Sequence, residues 1–128
     1  MHRHWITERY FDNQYNYQIY LYKEPVMSIK KQYLKSKPLC KVTFRIPEEI
    51  GKSAETAHVV GEFNDWDFFS TPMKKLKKGA FTATLNLEKG RAYQFRYLLD
   101  NSNWQNDGDA DNFVPTPFGD SENSVIAL

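Results

Sequence analysis

Apolar and polar residues alternate cleanly from Leu39. Cys40, Val42, Phe44 and Ile46 fall on one side, and Lys41, Thr43 and Arg45 on the other. Side chains of a strand point alternately to its two faces, so this run predicts a half-buried strand, closed by Pro47. A second run places Phe81, Ala83, Leu85 and Leu87 against Thr82, Thr84 and Asn86. Glu88-Lys89-Gly90 predicts a hairpin turn after it. The next strand carries Tyr93, Phe95, Tyr97 and Leu99 on its core face, with Gln94, Arg96 and Leu98 opposite. Thr56 to Val60 and Ser124 to Leu128 read as shorter strands, 48–55 as a polar loop and 105–120 as a loop. No amphipathic helix of normal length is present in the pattern. Short strands separated by turn signals predict an all-β fold, an antiparallel β-sandwich over about residues 37–128.

Residues 1–36 differ. Tyr10, Tyr15, Tyr17, Tyr20 and Tyr22 are interleaved with Asn and Gln. No period holds for long, although Tyr17 to Tyr22 passes as a short strand. This stretch is expected to be a poorly structured N-terminal extension. Composition changes at Met27, which is the expected native start. Ser28 to Ser36 is basic and polar, a short helical or extended lead-in that Pro38 ends.

Gly61-Glu62-Phe63-Asn64-Asp65-Trp66-Asp67 is the densest turn signal. Gly61 predicts a backbone bend, and Asn64 and Asp65 bond their own backbone in turns. Phe63 and Trp66 lie on opposite sides of the turn. Both rings plug the end of a core, or one faces solvent as a binding edge. The strand register gives Phe63 to the core and Trp66 to the edge. Trp104 follows a second turn, Asp100-Asn101-Ser102-Asn103.

Composition narrows the function classes. The chain has 128 residues and a net charge of +1, so no overall field argues for nucleic acid or membrane. Lysines gather at Lys30, Lys31, Lys35, Lys37 and Lys41 and again at Lys74, Lys75, Lys77 and Lys78, whereas no Lys or Arg follows Arg96. Two solvated faces of opposite sign account for this. The aromatic content of 16% suits strands and surfaces that face sugar or protein. Cys40 is the only cysteine, so no internal disulfide forms, and its strand position makes it a small buried hydrophobe. No apolar run approaches the ~20 residues of a membrane span, and no secretory signal opens the chain. A soluble cytoplasmic protein is the expectation.

Candidate chemistry is sparse. His58 reads as a structural strand histidine, and no Cys/His set has zinc spacing. Asp107-Gly108-Asp109-Ala110-Asp111 resembles the start of a calcium loop, but Asn112 and Phe118 stand where that loop needs Gly and Glu. It reads as a solvated loop. Glu62, Asp65 and Asp67 share one turn rather than facing across a cleft. No nucleophile elbow, phosphate-cradling loop or zincin motif occurs. The sequence therefore predicts no catalytic residues, no metal and no cofactor. A binding face is easier to build. Indoles cover the C–H faces of sugars, and charged or amide side chains bond the hydroxyls. Trp66 and Trp104 supply the first, Arg96 and Gln94 the second.

Three stretches, taken in order, resemble the family-48 carbohydrate-binding modules. They are His58 to Trp66, Tyr93 to Asp100 followed by Trp104, and Asn123-Ser124-Val125-Ile126. These modules are immunoglobulin-like early-set β-sandwiches at the N-termini of isoamylases and glycogen branching enzymes, and they form the glycogen-binding domain of the AMP-activated kinase β subunit. The resemblance looks closest to short bacterial proteins made of little but this domain, which open near a lead that begins here at Met27. It implies sugar stacking on Trp66 and Trp104, hydroxyl bonding by Arg96 and Asn123, and an apolar contact from Phe118 before Gly119. The turn before Trp104 and the loop from Phe118 to Asn123 are longer than the family pattern. The catalytic barrel of the associated family-13 glycoside hydrolases is absent from the sequence. The resemblance thus implies non-catalytic binding of an α-1,4-linked glucan. The alternative is a protein-interaction or accessory domain for a glucan-metabolising enzyme or kinase, which the aromatic N-terminal stretch and Lys74 to Lys78 favour. A self-standing glycosidase is a third reading.

Overall fold

The structure, a computed structural model, describes residues 29–117 and 121–128 in full, and residues 6–12 and 17–23 as backbone. Strands β1 (Ile6–Asp12) and β2 (Tyr17–Lys23) pair antiparallel with each other. β2 covers the short strand expected at Tyr17 to Tyr22, whereas the expected start at Met27 lies outside the described residues.

Two antiparallel sheets follow. One runs β3 (Ile29–Tyr33), β4 (Leu39–Ile46), β7 (Phe81–Glu88) and β6 (Lys74–Lys75) in spatial order. The other runs β10 (Asn112–Pro115), β11 (Glu122–Ala127), β8 (Ala92–Leu99) and β5 (Ala57–Gly61), with the short β9 (Asn103–Gln105) also paired to β8. A single-turn helix, α1 (Glu48–Gly51), interrupts the loop after β4. The fold is the all-β antiparallel sandwich that the alternation predicts. Cys40, Val42, Phe44 and Ile46 of the first sheet meet Val59, Phe95, Tyr97, Leu99 and Ile126 of the second in one core. Phe44 sits edge-on to Phe95, their ring centres 5.1 Å apart, a favoured geometry for aromatic pairs. Among the described residues no helix is long and apolar enough to cross a membrane.

Two expectations change. Glu88-Lys89-Gly90 is not a hairpin. β7 pairs with β4 and β6, whereas β8 pairs with β5, β9 and β11, so the chain crosses here from one sheet to the other. Gly90 takes φ +86° at the crossing, and its N–H donates to the Leu128 carbonyl at 2.7 Å. Alternation defines which face of a strand is buried but not its partner. Two apolar faces meet equally well side by side or across a core. The 105–120 loop contains a strand, β10, registered on β11 from Asn112↔Val125 to Pro115↔Glu122. Of the two forms expected for the lead-in, the extended one is found, and Ile29–Tyr33 pairs along β4 as an edge strand.

Candidate functional site

The turn after β5 is a short 3-10 segment, Glu62–Asn64, followed by two left-handed residues, Asp65 (φ 54°) and Trp66 (φ 57°). Asn64 pins it. Its Oδ1 accepts the Gly61 N–H at 3.0 Å, and its Nδ2 donates to the Val59 carbonyl at 2.9 Å and to Thr71 Oγ1 at 3.0 Å. The Trp66 N–H donates to the Gly61 carbonyl at 2.9 Å. Gly61 itself is extended, at φ −170°, so no bend requires glycine there. Space does: a Cβ would lie 2.5 Å from the Gln94 carbonyl oxygen and 2.7 Å from Phe95 Cβ. Phe63 turns inward against Phe44, Tyr93 and Phe95. Trp66 turns to the other side.

Register places the remaining residues. Arg96 and Leu98 lie on the outer face of β8, opposite the core residues Phe95 and Tyr97. Trp104 pairs with Leu98 and so shares that face. The β8–β9 turn reaches this register with Asp100 (φ 51°) and Asn101 (φ 61°) both left-handed. Asp100 Oδ1 anchors it by accepting the Glu55 N–H at 2.7 Å and the Thr56 N–H at 3.0 Å. Across the face, Arg96 Nε donates to Asn123 Oδ1 at 2.7 Å, and Asn123 Nδ2 donates to Gln94 Oε1 at 3.0 Å. Trp66, Arg96, Trp104 and Asn123 line one groove of about 410 Å³, together with Phe68, Thr116, Pro117 and Ser121. Phe118 lies outside the described residues. Phe68 is absent from the residues the sequence nominates. The available signal was two aromatics, Phe68 and Phe69, directly after a polar turn.

Beneath the groove, on the core side, is a polar network. Tyr97 Oη donates to Asp107 Oδ2 at 2.6 Å, and the Asp109 N–H donates to Asp107 Oδ1 at 2.8 Å. The Asp107 N–H donates to Ser124 Oγ at 2.9 Å, which donates to Asn106 Oδ1 at 2.8 Å. Asp107 is fully buried, so the expectation that 107–111 is a solvated loop is corrected at this residue. Burial pushes its carboxyl up to about 7, the Tyr97 and Asp109 hydrogen bonds oppose that rise, and the Asp109 and Asp111 carboxylates add to it. Burial, and then the charge of Asp107, hold Tyr97 well above the ordinary tyrosine value. Among the described residues no group of three or more His, Cys, Asp or Glu is placed to hold a metal ion. His58 Nδ1 is buried with no hydrogen-bond partner among them, and its ring stands perpendicular to Phe69.

The groove thus offers aromatic surface beside a fixed guanidinium and a fixed amide, an arrangement suited to a ligand with apolar faces and hydroxyl edges. Comparison with curated proteins finds no match. The family model for carbohydrate-binding module 48 (isoamylase N-terminal domain) matches residues 49–115, just over half of the chain. Trp66, Arg96 and Trp104 fall inside the match and Asn123 beyond it. The match does not bear out the likeness to short bacterial proteins in particular. The family is one of binding modules rather than catalysts. The chain belongs to the carbohydrate-binding module 48 (isoamylase N-terminal domain) family.

Proposed function

We propose that the groove binds an α-1,4-linked glucan of the glycogen type, without catalysis. The observation that carries this reading is that Trp66, Trp104, Arg96 and Asn123, from four separate segments of the chain, line one groove. An indole stacks on the C–H face of a glucose ring. The Arg96 guanidinium, oriented by its bond to Asn123, donates to ring hydroxyls. Trp66 adds a second argument. A bulky residue at φ 57° is a backbone outlier, and such conformations cluster at ligand-binding sites.

Affinity electrophoresis in glycogen-containing gels tests the reading. The wild-type protein is retarded. Trp66→Ala weakens binding by about 1–3 kcal/mol, the range measured when an aromatic stacked on a nucleic-acid base is removed. Wild-type protein that migrates as in a glycogen-free gel overturns the proposal.

A further inference from the structure

Phe68 belongs to no motif that led to the groove, yet it stands in its wall. The turn that presents Trp66 continues outward because Asp67 Oδ1 accepts the Phe69 N–H at 2.9 Å. That bond ties down the backbone around two successive phenylalanines, which then part. Phe69 meets His58 perpendicularly, with ring centres 5.6 Å apart. Phe68 meets Trp104, with ring centres 5.2 Å apart and planes at 78°. Phe68 is 46% exposed, so filling the core is not its main role. An exposed phenylalanine lining a concave surface beside two indoles is a residue placed for contact.

Its geometry has a consequence for the ligand. Trp104 is 36% exposed on a three-residue strand, and its ring has Phe68 as its aromatic neighbour. The edge-to-face contact holds the indole at one tilt, and the two rings make a corner rather than a flat platform. A flat ribbon, such as a β-1,4-linked glucan, stacks best on coplanar rings. A chain whose successive sugars turn relative to one another presents faces to both sides of a corner.

We infer that Phe68 is a positioning and specificity-determining residue of the groove: it sets the plane of Trp104 and, with it, forms the corner that selects a curved α-linked glucan over a flat β-linked one. This rests on the glucan-binding reading above.

Isothermal titration of the full chain with maltoheptaose and with cellohexaose tests it, alongside thermal unfolding of each variant. Wild type binds maltoheptaose at least about tenfold more tightly than cellohexaose, and Phe68→Ala weakens maltoheptaose binding by about tenfold while narrowing that ratio. Phe68→Tyr, which keeps the ring, stays within about twofold of wild type in both respects. Phe68→Leu, which keeps apolar bulk without a ring, behaves as the alanine variant does and decides the matter if Phe68→Ala unfolds. Binding by wild type with both ring-less variants within about twofold of it overturns this inference and leaves the proposed function standing. Equal affinity of wild type for the two oligosaccharides also overturns it alone. Wild type that takes up no maltoheptaose overturns the proposed function and this inference together.

Discussion

Asn64 uses both ends of its amide on the turn that carries Trp66, bonding Gly61, Val59 and Thr71. The turn needs such an anchor because two consecutive non-glycine residues are left-handed, each at a cost of roughly 1–2 kcal/mol. Asn64→Ala is expected to lose about 2–3 kcal/mol of stability from its hydrogen bonds, read as a lower urea midpoint, and to weaken glycogen binding although residue 64 does not line the groove. An unchanged midpoint would show that the strained pair is held by something else. The turn and its two-sided presentation of Phe63 and Trp66 were legible in the sequence, because Asn and Asp advertise backbone bonding and the strand register assigns the sides. The role of Gly61 was not. Glycine signals freedom of φ and room for a close neighbour alike, and only the packing of β5 on β8 shows that room is what matters here.

At the scale of elements, the site depends on a change of partner along one side of β8. β8 pairs with β11 along its first half, at 92–95, and with β9 along its second, at 97–99. Arg96 stands at the junction on the outer face. The network of Asn106, Asp107, Ser124 and Tyr97 closes it on the inner face, next in sequence to Arg96 and Asn123. The outward side of Arg96 was legible in the alternation, but neither the change of partner along β8 nor the polar network was. Alternation marks Tyr97 as apolar core and does not show its hydroxyl, which makes burial of an aspartate tolerable. Asp107 therefore looked like one more acid in a solvated run. The network predicts a pH dependence. Burial pushes the Asp107 carboxyl up to about 7 in the folded chain, against the ordinary 3.8 of an aspartate in water. Between those values the folded chain holds a proton that the unfolded chain has released. The stability this group contributes is fully present below 3.8 and is lost as pH rises through about 7. Asp107→Asn, which cannot ionise, removes that slope. Urea midpoints from about pH 4.5 to pH 8 check it. The stability of wild type relative to the variant should fall with rising pH, whereas a constant difference places the ionisation elsewhere.

At the scale of the whole molecule, the question is where the folded unit begins. The clean alternation from Leu39 and the proline at 38 suggest a module starting near residue 37. Ile29–Tyr33 was hard to read as a strand because Ile29 and Tyr33 are its only apolar positions. Its stabilising contacts are of kinds a binary pattern does not record. It pairs along β4 from Ile29↔Phe44 to Tyr33↔Cys40, and Ile29 packs against the core. Lys31 Nζ donates to Asp111 Oδ2 at 2.7 Å and to the Ala127 carbonyl at 3.0 Å, tying this edge of one sheet to the other. The ion pair itself contributes little, being partly exposed. The ladder matters more, because without β3 the strand carrying Cys40, Val42, Phe44 and Ile46 becomes a bare sheet edge. By contrast, among the described residues the ladder of β1 and β2 joins those two strands to each other and to no other strand. We therefore expect a chain starting at residue 29 to keep the full-length urea midpoint and glycogen retardation. One starting at residue 37 should lose about 2–4 kcal/mol through the missing ladder bonds and the Ile29 burial, and should associate at high concentration through the exposed edge of β4. Full-length midpoints for both truncations would move the boundary back to residue 37, and an equal loss in both would make residues 1–28 part of the folded unit.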